Sequence, residues 1–204
     1  MKRIILGILC LCLASASLSA AYLFDQPHRL FALKTGWDWS YTEVNGTQQK
    51  DQSIIIGLRT QSFLNSNADI GIGFGADASW MQYGTDPVTG ATSQDVIRKN
   101  WSYSGEISFA YRYFFNPDSW WLFEIGPYVQ YFAKDDYYQL IYGPRVDMGL
   151  CYSTGSDVCV IVGCDARLPL GIAAAQKTGS GYDSVDKTIC GICLNPYLMV
   201  AFQI

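Results

Sequence analysis

Charge and histidine are what this sequence has least of. Charged residues make up 16% of its 204 residues, against about 25% in an ordinary soluble domain. His28 is the only histidine, which excludes chemistry built on histidine pairs. Basic residues number 14 against 18 acidic, a net charge of −4. A nucleic-acid-binding face would need the opposite excess. Beyond residue 21 no stretch of 18 apolar residues occurs, so no membrane-crossing helix is encoded there.

What is present is aromatic and glycine-rich: Tyr 14, Phe 10, Trp 6 and Gly 19, with half of all residues hydrophobic. That composition favours strands. Residues 1–21 read as a cleaved export signal. Lys2 and Arg3 open it, Ile4 to Ala16 is an apolar run too short to span a bilayer, and Ser17 to Ala21 supplies small residues for the peptidase. The mature domain is then 22–204.

Within it the side chains alternate with period two, the mark of strands with two unlike faces. Eight such segments can be traced. Phe31, Leu33, Trp37, Trp39 and Tyr41 alternate with Ala32, Lys34, Gly36, Asp38 and Ser40 in the first. In the last, Ile192, Leu198, Val200 and Phe202 alternate with Gly191, Tyr197 and Gln203. Between them lie segments around 53–61, 70–80, 101–113, 121–131, 140–150 and 160–171. Short connections at 64–67, 115–118 and 152–156 alternate with longer polar ones at 42–52, 84–99, 133–137 and 173–187. An even number of strands with short turns at one end and longer loops at the other describes a transmembrane β-barrel. The fold expected is an all-β, eight-stranded, antiparallel up-and-down transmembrane barrel.

Energy decides which face meets lipid. One face of these segments carries Lys34, Asp38, Arg59, Asp77, Glu106, Arg112, Glu124, Arg145, Asp147, Asp165 and Arg167; the other carries essentially no charge. A charge facing lipid at the midplane costs roughly 2–4 kcal/mol. Eleven would exceed the about 5–15 kcal/mol that holds a whole domain together. The charges must therefore point inward, the reverse of a soluble ligand-binding barrel. Eight strands enclose a lumen just wide enough for side chains, so buried charges there must pair. Glu106, Arg112, Glu124 and Arg145 overlap in height and are the expected core of that network. Its expected role is a structural plug; the other reading is a narrow conduit.

The chain resembles the small eight-stranded outer-membrane barrels of the OmpA, OmpX and OmpW type. The resemblance rests on the export signal, the eight alternating segments and the ending Leu198-Met199-Val200-Ala201-Phe202-Gln203-Ile204, where family members usually end in Phe. It implies residence in the outer membrane of a diderm bacterium, contact with its lipids and lipopolysaccharide, delivery by the barrel-insertion machinery and a monomeric state. A structural or surface-interaction role is expected, with an OmpW-like path for small solutes as the alternative. Related barrels that edit lipids use a histidine near the extracellular side, whereas His28 precedes the first strand, so no enzyme is expected. No cofactor, metal site or nucleic-acid partner is implied. Five cysteines remain after residue 21. Cys151 and Cys159 flank the last turn and are a candidate disulfide; Cys190 and Cys193 point to opposite faces of a strand and cannot chelate one ion.

Overall fold

The computed structural model describes residues 28–64, 69–116, 118–154, 157–179 and 181–203. Residues 1–21, expected to be an export signal, and parts of the three short turns lie outside the described residues.

Among the described residues, ten strands and one short helix follow in chain order. They are β1 (His28–Val44), β2 (Thr47–Phe63), β3 (Ile70–Tyr83), α1 (Gln94–Ile97), β4 (Trp101–Asn116), β5 (Ser119–Lys134), β6 (Tyr137–Ser153), β7 (Val158–Arg167), β8 (Gly171–Thr178), β9 (Gly181–Val185) and β10 (Ile189–Gln203). Each of β1 to β6 pairs antiparallel with the next, β7 pairs with β10, and β10 pairs with β1. The result is a closed ring of eight, as the alternation demands. Residues Leu30 to Val44 of β1 run against Gln203 to Ile189 of β10, so the sheet keeps no free edge at that closure.

The strands are longer than the alternating segments indicate. β1 and β2 have 17 residues each and pair without a gap from His28–Phe63 to Val44–Thr47. The polar stretch 42–52, expected to be a loop, is therefore mostly hairpin. Its turn is Asn45-Gly46, with φ of 51° and 76°, the pair of left-handed residues that a two-residue hairpin turn requires. At about 3.3 Å per residue and a tilt near 45°, 17 residues rise about 40 Å, well beyond an apolar band of about 25 Å. The barrel projects past the membrane on its loop side.

The polar stretch 173–187 is also strand. β8 continues the seventh strand of the ring along the upper part of β6, and β9 folds back onto β8. The ladder between β7 and β10 reaches only to Arg167–Cys193. Above it, 168–173 and 186–192 do not pair with each other, leaving a seam in the wall on the loop side.

The wall has the polarity of a protein turned inside out. Leu33, Ile56, Ile107, Phe109, Ile125, Val146 and Val162 are exposed on the outside. Aromatics ring both ends: Trp39, Tyr41, Trp101 and Tyr103 toward the loops, Phe31, Tyr113, Phe115 and Phe202 toward the turns. Trp80 and Trp101 stack across β3–β4 with centroids 5.8 Å apart. A slip in the β2–β3 register puts Gln82 inside and Tyr83 outside, so Tyr83 faces outward although strict alternation points it in.

Candidate functional site in the lumen

The lumen is layered along its axis. At the turn end an apolar layer holds Leu30, Phe63, Trp120, Leu122, Ile161, Met199 and smaller neighbours, all 4% exposed or less. Midway lies the charged layer, and above it a cavity of mixed lining opens toward the loops. The middle layer is legible in the sequence and the lower one is not, because its members come in ones, twos and threes from seven strands, each at an inward position close to the turns.

Ten of the eleven candidate charges are buried, and the half-buried Asp38 lines the cavity above them. Nine form one connected network. Lys34 reaches Asp165 at 2.6 Å and Asp77 at 3.7 Å. Arg59 bridges Asp77 at 2.9 Å and Glu106 at 2.7 Å. Arg145 sits among Glu106 at 3.0 Å, Glu124 at 3.4 Å, Asp165 at 3.8 Å and Asp147. Arg167 joins Asp77 at 2.7 Å and Asp165 at 3.1 Å. The partners come from β1, β2, β3, β4, β5, β6 and β7, so the network ties opposite walls together.

Uncharged groups complete it. The Tyr197 hydroxyl donates to Asp147 at 2.6 Å, Ser108 and Gln61 donate to Glu124 at 2.9 and 3.1 Å, and Asn195 donates to Asp165 at 3.2 Å. These four were legible only as inward positions at the same height. Inward glycines make the room. A methyl on Gly57 would overlap Asp77 and the Ala76 carbonyl oxygen, and one on Gly75 would meet Arg59 and Glu106.

Arg112 departs from expectation. It lies three inward steps below Glu106 on β4, which takes it out of the charged layer and into the apolar one. There its guanidinium stacks on Phe63, 3.7 Å from the ring centroid. Glu106, Glu124 and Arg145 do meet as expected.

Cys151 and Cys159 occupy diagonal inward positions across β6–β7, since Cys151 faces Ile161 and Cys159 faces Ser153. Both are fully buried free thiols, hydrogen-bonded to each other. Cys190 is exposed and Cys193 buried, on opposite faces as expected. His28 opens β1 at the turn end, opposite Phe63 in register.

The loop end is ordered around Asp86, which is 1% exposed. Its carboxylate accepts the Thr89 and Val88 N–H groups at 2.8 and 3.0 Å, the Asn100 amide at 2.9 Å and the Lys134 ammonium. Burial alone would raise this carboxyl; the hydrogen bonds from Lys134, Thr89 and Asn100 outweigh it and hold it well below the ordinary carboxylate range. Val88 and Val185 pack on Phe132, Tyr137 and Ala174, and Lys187 donates to the Tyr137 hydroxyl at 2.6 Å and the Pro87 carbonyl at 3.3 Å. The stretch 84–100 is thereby tied to the β5–β6 hairpin and to the segment after β9.

Closed ring, inverted polarity and aromatic girdles define a membrane-spanning barrel of the outer-membrane type. No protein-family model matches the chain, and no curated protein matches it in sequence. Solved structures match it in fold. Neisserial surface protein A (NspA) has a TM-score of 0.53 and 9% identity, over 85% of this chain and 97% of that one. The N-terminal β-barrel domain of Pseudomonas aeruginosa OprF has a TM-score of 0.49 and 12% identity, over 88% and 100%. Ail, the attachment invasion locus protein of Yersinia pestis, has a TM-score of 0.43 and 8% identity, over 88% and 100%. The fold is therefore that of a small outer-membrane-type barrel, with its apolar face turned outward.

Proposed function

We propose that this protein is a closed outer-membrane barrel whose role is structural or surface-interactive, with its lumen plugged by paired charges. The observation that carries the reading is the interlocked set of four bases and five acids, each 8% exposed or less, above an apolar layer. An ion crossing the lumen would have to part several buried pairs at once, and each parted pair leaves uncompensated charge in a low-dielectric interior. Outward contact then falls to the loop end, which the Asp86 cluster holds in one arrangement. Lipopolysaccharide is its outer-leaflet neighbour, the barrel-insertion machinery delivers it, and it acts as a monomer without a catalytic role. Residues 1–21 are the export signal, so sequencing the membrane form gives an N-terminus near Ala21 or Tyr22.

Reconstitution in a planar bilayer tests the plug. The expected trace is flat at 100 mV on the order of the resting potentials that membrane proteins meet. Stable unitary steps in the wild-type protein would overturn the plug in favour of a conduit for small solutes.

A further inference from the structure

Above the charged layer is a cavity of about 90 Å³ facing the loops, room for several water molecules. Serine hydroxyls and amides share its walls with apolar side chains such as Met81, Phe132 and Ile141, and Thr85 and Pro87 are also among its lining residues. Its ionisable lining consists of the carboxyls of Asp38 and Asp51 and the thiol of Cys193; among the described residues no Lys, Arg or His lines it. In the β1–β2 register Asp38 faces Ser53 and Asp51 faces Ser40. The two carboxylates are therefore diagonal neighbours on the inward face, roughly 7–8 Å apart.

Two of the residues that line this cavity each carry an enclosed acceptor without a donor. One carboxylate oxygen of Asp38, Oδ1, is enclosed and accepts no hydrogen bond. Asn100 is 2% exposed; its Nδ2 donates to Asp86, while its Oδ1 is likewise without a donor. An enclosed acceptor without a donor is costly. The layer beneath offers no spare cation, because its four bases are already paired among five acids. A ligand with several N–H donors and positive charge would satisfy both acceptors. The acids do not converge as metal ligands do: among the described residues no group of three His, Cys, Asp or Glu side chains could hold a metal ion.

We propose that this cavity is a binding site for a small organic cation bearing primary ammonium groups, held by Asp38 and Asp51, with Asn100 accepting a further N–H. The site opens on the loop side and does not depend on whether the layer below conducts.

The test is a titration of 1,4-diaminobutane into the folded barrel in zwitterionic micelles at neutral pH, followed by backbone amide shifts. Saturable shifts confined to Ser53, Ser79, Asn100 and their neighbours are expected. Asp38→Asn is expected to weaken the apparent affinity at least tenfold and Asp51→Asn several-fold, and 1,4-butanediol, which has the same length without charge, is expected to give no saturable shift. Unboiled gel mobility verifies that each variant is folded; if Asp38→Asn does not fold, Asp51→Asn decides. Non-saturating shifts, wild-type affinity in the folded variants, or equal shifts with the diol would overturn the proposal. So would saturation by calcium chloride at concentrations where the diamine has no effect, which would mark a metal site instead.

Discussion

At the scale of single residues, Arg145 is the side chain on which most of the buried charge depends. It is shared by Glu106, Glu124, Asp147 and Asp165. Removing one partner of a buried pair costs about 3–5 kcal/mol, because the carboxylates left behind stay desolvated. Arg145→Ala is therefore expected to lower the thermal midpoint of the barrel in detergent, read as the temperature at which the compact gel band is lost. An unchanged midpoint would show that the network contributes little. Gly57→Ala tests the same layer from the backbone side. Its methyl has to displace the Asp77 carboxylate that Arg59 holds, and the expected loss is about 1–3 kcal/mol. Arg112 marks the limit of inference from sequence here. Alternation correctly points it inward, but whether an inward arginine joins the midway network depends on its height, and height depends on strand stagger, which period two does not encode.

At the scale of elements, two connections carry testable chemistry. The β6–β7 hairpin brings Cys151 and Cys159 side by side, and in an oxidising compartment we expect them to join. Closing so short a loop is worth about 2–3 kcal/mol on the chain-entropy account. Alkylation of the denatured protein without reductant should leave this pair unlabelled, with labelling restored by reductant; full labelling in both arms would refute the pairing. The stretch 84–100 hangs on Asp86. Because its carboxyl is held below the usual range in the folded loop, its contribution is complete above about pH 4, the ordinary carboxylate value, and is lost as pH falls further. Asp86→Asn should therefore loosen the Val88 and Thr89 amides at neutral pH, where hydrogen exchange reads the change, and should abolish the acid-induced loosening of the wild type. Sequence alone renders this end of the molecule least well. It reads 42–52 and 173–187 as loops because their side chains are polar on both faces, as befits strands that stand beyond the hydrocarbon. The Asn45-Gly46 dipeptide was the available signal for the first of these hairpins; nothing comparable announces β8 and β9.

At the scale of the whole molecule, ring size, strand direction and the inward course of the charges were all legible, because one-sided burial allows no other register. The lower apolar layer and the loop cluster were not, since each assembles residues far apart in the chain. The same whole-molecule view bears on how the structure comes into being. The first strand finds its second neighbour only in the last one, where Leu30 meets Gln203 and Val44 meets Ile189. Until those final residues are placed, two raw margins of hydrogen-bonding groups remain in an oily medium that cannot satisfy them. The closure thus works as a latch: a chain truncated before Tyr197 would be no shorter cylinder but an unfinished one, and it should fail to give any heat-resistant compact band at all.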